Sequence, residues 1–221
     1  MKSEIDLETK ILPLLTQETA KLIEQSQEKL SRLNWHQGEG NLDRDFSILS
    51  KECCEKAFLK VNDFKDLELE VKIPDLKLIF TLNKKRIEKK IELKSTKSKS
   101  GKIPGSMIMS LDPNMWTIMC HRINENFFLI RYGRYFTGME ISTHETFQDR
   151  SPRPKLLFKK FQSPSKKPMI EKTSINKSFW SAYAKSAIKR ILEPKNYSWQ
   201  DDLVKEIIRE IKKNPKKFKD I

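Results

Sequence analysis

Cysteine, histidine and long apolar runs are all scarce in this chain, and each scarcity removes a class of protein. The cysteines are three, Cys53, Cys54 and Cys120. Their number is odd, two are adjacent, and no CxxC pair exists, so neither a disulfide framework nor a cysteine zinc site is expected. With three histidines in all, a histidine-rich metal centre is not expected either. A reducing, cytoplasmic setting fits this cysteine usage. No apolar run approaches the roughly 18 residues that a membrane helix needs. The opening MKSEIDLETK is acidic and polar, unlike a signal peptide. No internal repeat is present, which argues against a solenoid.

Positive charge is what the chain has in surplus. Forty-four Lys and Arg stand against 30 Asp and Glu, a net charge of +14. Such a surplus concentrates polyanions around a protein, and nucleic acid is the commonest of these. Binding it would release counterions from the phosphates. The 221 residues, 37% of them hydrophobic, suffice for one large domain with a core of its own.

Along the chain the hydrophobic period changes. From residue 3 to 34, Ile5, Ile11, Leu12, Leu15, Leu22, Ile23, Leu30 and Leu33 recur at helical spacing, with a break or kink expected near the start at Pro13. HQGEGN, residues 36 to 41, reads as a turn. A second helix is predicted from about Asp45 to Val61, capped by Asp43 or Asp45. Strand alternation then begins: Leu67, Leu69, Val71 and Ile73, next Leu76, Leu78, Phe80 and Leu82, and after a turn at residues 83 to 86, Ile87, Ile91 and Leu93. Further strands are expected at Trp116 to Cys120 and Phe127 to Tyr132. Ser95 to Ser106 reads as a polar, basic loop, and Ser151 to Pro168, with four prolines, as an extended basic connector. Met107, Met109, Met115 and Met119 read as core filler. Two helices are predicted near the end, Ser178 to Leu192 and Ser198 to Lys213. The expected fold class is α+β, an α/β core with a mixed sheet flanked by helices and helical additions at both ends. The expected organisation is an N-terminal helical segment over 1–40, a core over 41–150, and a connector with C-terminal helices over 151–221, packed as one compact domain.

Within the strand region, Pro74-Asp75 is followed after sixteen residues by Glu92-Leu93-Lys94. An acidic residue two before a lysine is common here, at Glu8, Asp63, Glu70, Asp75, Glu88, Glu92, Glu193 and Glu210. Glu92 differs in its setting: a helix upstream, a Pro-Asp opening an apolar strand, and apolar neighbours on both sides. Glu92 and Lys94, two apart on a strand, share a face while Ile91 and Leu93 point to the core. The register that would place Asp75 beside them is not fixed by sequence. Asp75 and Glu92 supply the hard oxygen ligands that Mg2+ prefers, and Lys94 supplies a compact cation beside them.

Over roughly residues 45 to 132 this pattern resembles the PD-(D/E)XK nuclease superfamily, which includes many type II restriction endonucleases. The resemblance implies a Mg2+-dependent endonuclease acting on double-stranded DNA, with Asp75, Glu92 and Lys94 catalytic. It implies that Asp75, Glu92 and the Leu93 backbone carbonyl hold the metal, and that cutting leaves 5′-phosphate ends. An acid from the preceding helix sometimes joins such sites, and Glu52 and Glu55 are the candidates. The size, with no helicase or methyltransferase motif, fits a restriction enzyme of prokaryotic or viral origin that works as a homodimer. The apolar stripe of the N-terminal helices is a candidate dimer contact.

Lys97, Lys99 and Lys102 are candidate phosphate contacts on the loop after the Glu92 strand. Arg131 and Arg134, in RYGRYF, mix cation with aromatic ring and are further candidates, as are His121, Arg122, Arg150 and Arg153 for reading bases. Other readings stay open: a repair, nicking or junction-resolving nuclease on the same core, a non-catalytic basic DNA-binding protein, or a basic structural protein of a virus or chromatin.

Overall fold

The alternation that begins at Leu67 is realised as three antiparallel strands, β1 (Leu67–Lys72), β2 (Leu76–Leu82) and β3 (Lys85–Thr96). They belong to a computed structural model that describes residues 6–35, 44–62, 67–82, 84–105, 115–140, 155–169 and most of 205–213. The turn expected over residues 83 to 86 is tighter than that. Lys85 and Arg86 already pair with β2, and Lys84 takes φ +65°, the left-handed conformation that two-residue hairpin turns demand.

After β3 the chain makes a short strand, β4 (Lys102–Pro104), and then returns to the sheet as β5 (Trp116–Arg122) and β6 (Phe128–Arg134). β5 lies parallel to β3 and β6 lies antiparallel to β5, so the main sheet is mixed, in the order β1-β2-β3-β5-β6. The expected α+β class is therefore met.

One face of this sheet carries the helices. A π-helical turn (Leu7–Ile11) leads into α1 (Leu12–Gln25), followed by α2 (Gln27–Ser31) and α3 (Arg44–Val61). Leu15, Ile23 and Leu30 from the first two helices and Phe46, Cys54 and Ala57 from α3 pack with Leu78, Phe80, Ile91, Leu93, Ile118 and Ile130 in one apolar core. Pro13 does not end this helical run, but the irregularity expected there is present: the π-helical turn Leu7–Ile11 gives way to α1 directly before it. The break falls at Ser26 (φ −94°, ψ 36°), whose hydroxyl donates to the Leu22 carbonyl at 2.8 Å. Buried Thr16 and Thr19 satisfy their hydroxyls in the same manner, donating one turn back at 2.7 Å. The N-terminal stripe that suggested a dimer contact is thus largely occupied within the protein's own core. Asp45 does not cap α3 either: it lies in the helix's first turn and accepts the Asn34 N–H at 3.2 Å. Asp43, the other expected cap, lies outside the described residues.

The opposite face is partly covered by a small second sheet, built from β4 with β7 (Met139–Glu140) and β8 (Lys155–Leu157) in the order β4-β8-β7. A short helix, α4 (Tyr135–Gly138), joins β6 to β7. Met115, Met119, Tyr135, Met139, Leu156, Phe158 and Phe161 bury themselves there as a second core. Gly138 is required at this spot, because a Cβ would stand 2.0 Å from the Phe161 ring. Two sequence expectations are corrected here. Ser95 to Ser106 is not simply a loop, since Ser95 and Thr96 extend β3 and residues 102–104 form β4. The described part of Ser151 to Pro168, residues 155–168, is not merely a connector, because Leu156, Leu157, Phe158 and Phe161 are buried and its backbone is tied down at several points. Tyr132 and Gln162 exchange both backbone hydrogen bonds at 3.0 Å, and Gln17 donates to the carbonyls of Pro164 and Lys166 at 3.0 and 2.9 Å.

Met107, Met109, Arg150, Arg153, the turn at 36 to 41 and the helix expected over 178–192 lie outside the described residues. The described residues of 205–213 are helical, as expected. Among the described residues no helix is long and apolar enough to cross a membrane.

Candidate active site

β2 begins one residue after Asp75, and its register settles what spacing could not. Leu76 pairs with Ile91, so Asp75 stands beside Glu92 at the mouth of the β2–β3 ladder. Asp75 has φ +57°, a conformation that aspartate tolerates better than most side chains and that is enriched at functional positions. Its Oδ1 accepts the backbone N–H of Leu93 at 2.9 Å. β3 runs on to Thr96 while β2 pairs only as far as Ile91, so this N–H would otherwise lack a strand partner. The N–H and C=O of one strand residue face the same neighbour. The Leu93 carbonyl therefore looks toward the side on which Asp75 sits.

Parity along β3 separates its side chains. Ile91 and Leu93 enter the helix-side core, while Lys90, Glu92 and Lys94 share the other face. Glu92 is 2% exposed. The Lys94 ammonium lies 2.5 Å from its Oε1, and the Lys90 ammonium lies 2.6 Å from its Oε2. Lys90 also reaches Asp75 Oδ2 at 3.0 Å, so one ammonium bridges the two carboxylates. Burial pulls the Lys90 ammonium toward the neutral form, but Glu92 and Asp75 outweigh it and hold its pKa above the ordinary lysine value. On the parallel side, Thr117 of β5 is in register with Glu92. It is fully buried, and its hydroxyl has no hydrogen-bond partner among the described residues.

This cluster is a poor device for stability. Replacing buried ion pairs with packed apolar residues is often neutral or stabilising, so the fold itself gains little from charge here. The donor set has a definite chemical preference instead. Two carboxylates side by side, a backbone carbonyl directed to the same side and an orphaned hydroxyl next to them are all hard oxygen groups, the kind that suit Mg2+. The Lys90 ammonium marks where the two acids already hold positive charge. Among the described residues no group of three His, Cys, Asp or Glu is placed to hold a metal ion, so this site offers two carboxylates and not three. Cys53 and Cys54 are not activated thiols: burial pushes the Cys54 thiol up to about 12 and also raises that of Cys53.

The other sequence candidates are distributed less favourably. Glu52 pairs with Lys29 at 3.2 Å and Glu55 with Lys51 at 3.7 Å, each on the exposed side of α3, and no described contact brings either to Asp75. Arg131 donates to the carbonyls of Lys159 and Phe161 at 3.0 and 3.1 Å and lies over the Phe158 ring. Arg134 is buried over Trp116. Arg131 ties β6 to the segment that follows β8, and Arg134 packs on its cross-strand neighbour within the main sheet, so both are engaged by the protein itself. Lys97 and Lys99 are exposed, and Lys102 is half-buried on β4. The turn that carries them is ordered, with the Gly101 N–H donating to the Ser98 carbonyl at 2.8 Å and the His121 ring 3.0 Å from the same oxygen. His121 is thereby engaged in the fold.

Two members of the site were not foreseen. Lys90 had a signal, since it lies two residues before Glu92 on the same strand face. Thr117 had none, because nothing local announces a parallel register. In comparisons with known proteins, no family model, no curated protein and no solved structure matches the chain.

Proposed function

We propose that the chain is a Mg2+-dependent DNA endonuclease of the restriction type, hydrolysing phosphodiester bonds to leave 5′-phosphate ends. One observation carries this reading. Asp75 and Glu92 stand side by side at the end of a strand ladder, with Lys94 against Glu92 on the same face. When bound, the divalent ion supplies Lewis-acid charge and a more acidic water. Asp75, Glu92 and the Leu93 carbonyl are the groups that hold it. Glu92, fixed between two core residues, sets the position, and the Asp75 bond to the Leu93 N–H keeps the second carboxylate aligned. Lys94 orients the attacking water and stabilises the charge that grows on the phosphate. The mixed order of the main sheet, three antiparallel strands followed by a parallel neighbour, supports the resemblance to PD-(D/E)XK nucleases.

Duplex DNA is the substrate best matched to the net charge of +14. Exposed Lys97 and Lys99 lie in the turn that follows β3 and give phosphates a basic path away from the site. A homodimer on a palindromic site would present one such centre to each strand, a geometry that two-fold DNA symmetry favours.

The test is incubation of the purified protein with long unmethylated duplex DNA and Mg2+. Discrete fragments are expected. Cutting confined to branched or damaged DNA would move the assignment to a repair or junction-resolving nuclease on the same core. Binding without any cutting would leave a basic DNA-binding protein.

A further inference from the structure

We propose that Lys90 is the built-in counter-cation of the site: it neutralises Asp75 and Glu92 until a divalent ion arrives, and then leaves for a DNA phosphate. This rests on the Mg2+-nuclease reading above. The Lys90 ammonium lies 3.0 Å from Asp75 Oδ2 and 2.6 Å from Glu92 Oε2, one oxygen of each carboxylate that the metal needs. An ion at about 2.0–2.1 Å from such oxygens cannot share the gap with that ammonium. Lys94 does not stand in the way, because it meets only the other oxygen of Glu92.

Exposure decides which lysine can move. The Lys90 side chain is 46% exposed, against 18% for Lys94 and 2% for Glu92. It reaches the acids from the solvent side and can withdraw without unpacking the core. Lysine suits this exchange, being a compact charge on a flexible four-carbon stem.

Charge accounting points the same way. Two carboxylates and two ammoniums are neutral together. Adding a divalent ion with both lysines in place would leave two uncompensated positive charges around a carboxylate that is 2% exposed. Withdrawal of Lys90 removes one of them, and the scissile phosphate compensates the other. Metal without DNA therefore meets a competitor, whereas metal with DNA finds the competitor a place to go. The two ligands should bind with positive coupling, which by linkage is reciprocal.

The test uses the full chain and Mn2+, titrated calorimetrically at fixed ionic strength without DNA. Lys90→Met is expected to bind Mn2+ roughly ten-fold more tightly than the parent, since a unit positive charge has left its immediate neighbourhood. Lys60→Met removes the same charge on the helix side, where Lys60 pairs with Glu18 at 2.9 Å, and should leave the affinity unchanged. Lys90→Gln, with far-ultraviolet circular dichroism on every variant, guards against an effect of misfolding. In DNA binding with Mn2+ present, the salt dependence of Lys90→Met should fall by about one phosphate contact. Equal or weaker Mn2+ affinity in both Lys90 variants would overturn the inference and leave the nuclease reading intact. Mn2+ binding by neither the parent nor the variants would overturn the nuclease reading and this inference with it.

Discussion

Lys94→Ala should cut the single-turnover rate of DNA cleavage by about 10²–10³-fold, the cost commonly seen when one preorganised charge or donor is removed from a transition state. DNA affinity should change little, because a single phosphate contact among many contributes a small share of binding. Lys94 is 18% exposed and reaches Glu92 Oε1 at 2.5 Å, so its ammonium is held in a site poor in water, where a fixed charge acts more strongly. Glu92→Gln should lose at least as much activity, for the different reason that it removes a metal ligand. The two variants separate in metal titrations: Lys94→Ala keeps Mn2+ binding and Glu92→Gln loses it. Cleavage that survives Lys94→Ala at parental rate would remove this residue from the reaction.

Asp75 should divide into two effects according to its replacement. Its side chain does two jobs, accepting the Leu93 N–H at 2.9 Å and contributing charge beside Glu92. Asn tolerates the left-handed conformation of Asp75 nearly as well and still offers an oxygen to that N–H. Asp75→Asn should therefore unfold near the parental temperature yet bind Mn2+ at least about 10–100-fold more weakly, a penalty already seen when a group that only hydrogen-bonds to a metal ligand is lost. Asp75→Ala should lose metal in the same way and also be destabilised by about 1–3 kcal/mol, because a buried N–H is left without an acceptor. Thermal unfolding beside calorimetric titration checks both. Equal stability of the Asn and Ala variants would show that the Leu93 bond does not hold the site together.

Much of this arrangement was legible in the sequence. The helical stripes of α1 and α3 and the alternation from Leu67 onward are local patterns, and local patterns fix element type. Glu92 could be singled out because Ile91 and Leu93 flank it, whereas its burial arises on the opposite face, where Lys90, Lys94 and Thr117 surround it. What was hidden depends on pairing across distance. The β2–β3 register brings Asp75 to Glu92, and it follows from the two-residue turn before Lys85, which NKKR alone does not specify. The parallel register of β5 brings Thr117 there, and no local signal encodes it. Arg131 and Arg134 illustrate the converse. Their mixture of cation and ring suited a ligand surface, but the rings and carbonyls that engage them belong to the protein itself. The segment around Leu156 to Phe161 was masked by its prolines and lysines, although its buried apolar side chains tie it to the second core.

The most direct measurement is the anomalous difference density of a crystal grown with Mn2+ and a short DNA duplex. The account predicts a peak between the carboxylates of Asp75 and Glu92, in contact with the Leu93 carbonyl, with the Lys90 ammonium withdrawn from between them. A structure in which DNA is bound, Lys90 still bridges the two acids and Mn2+ lies elsewhere would contradict it.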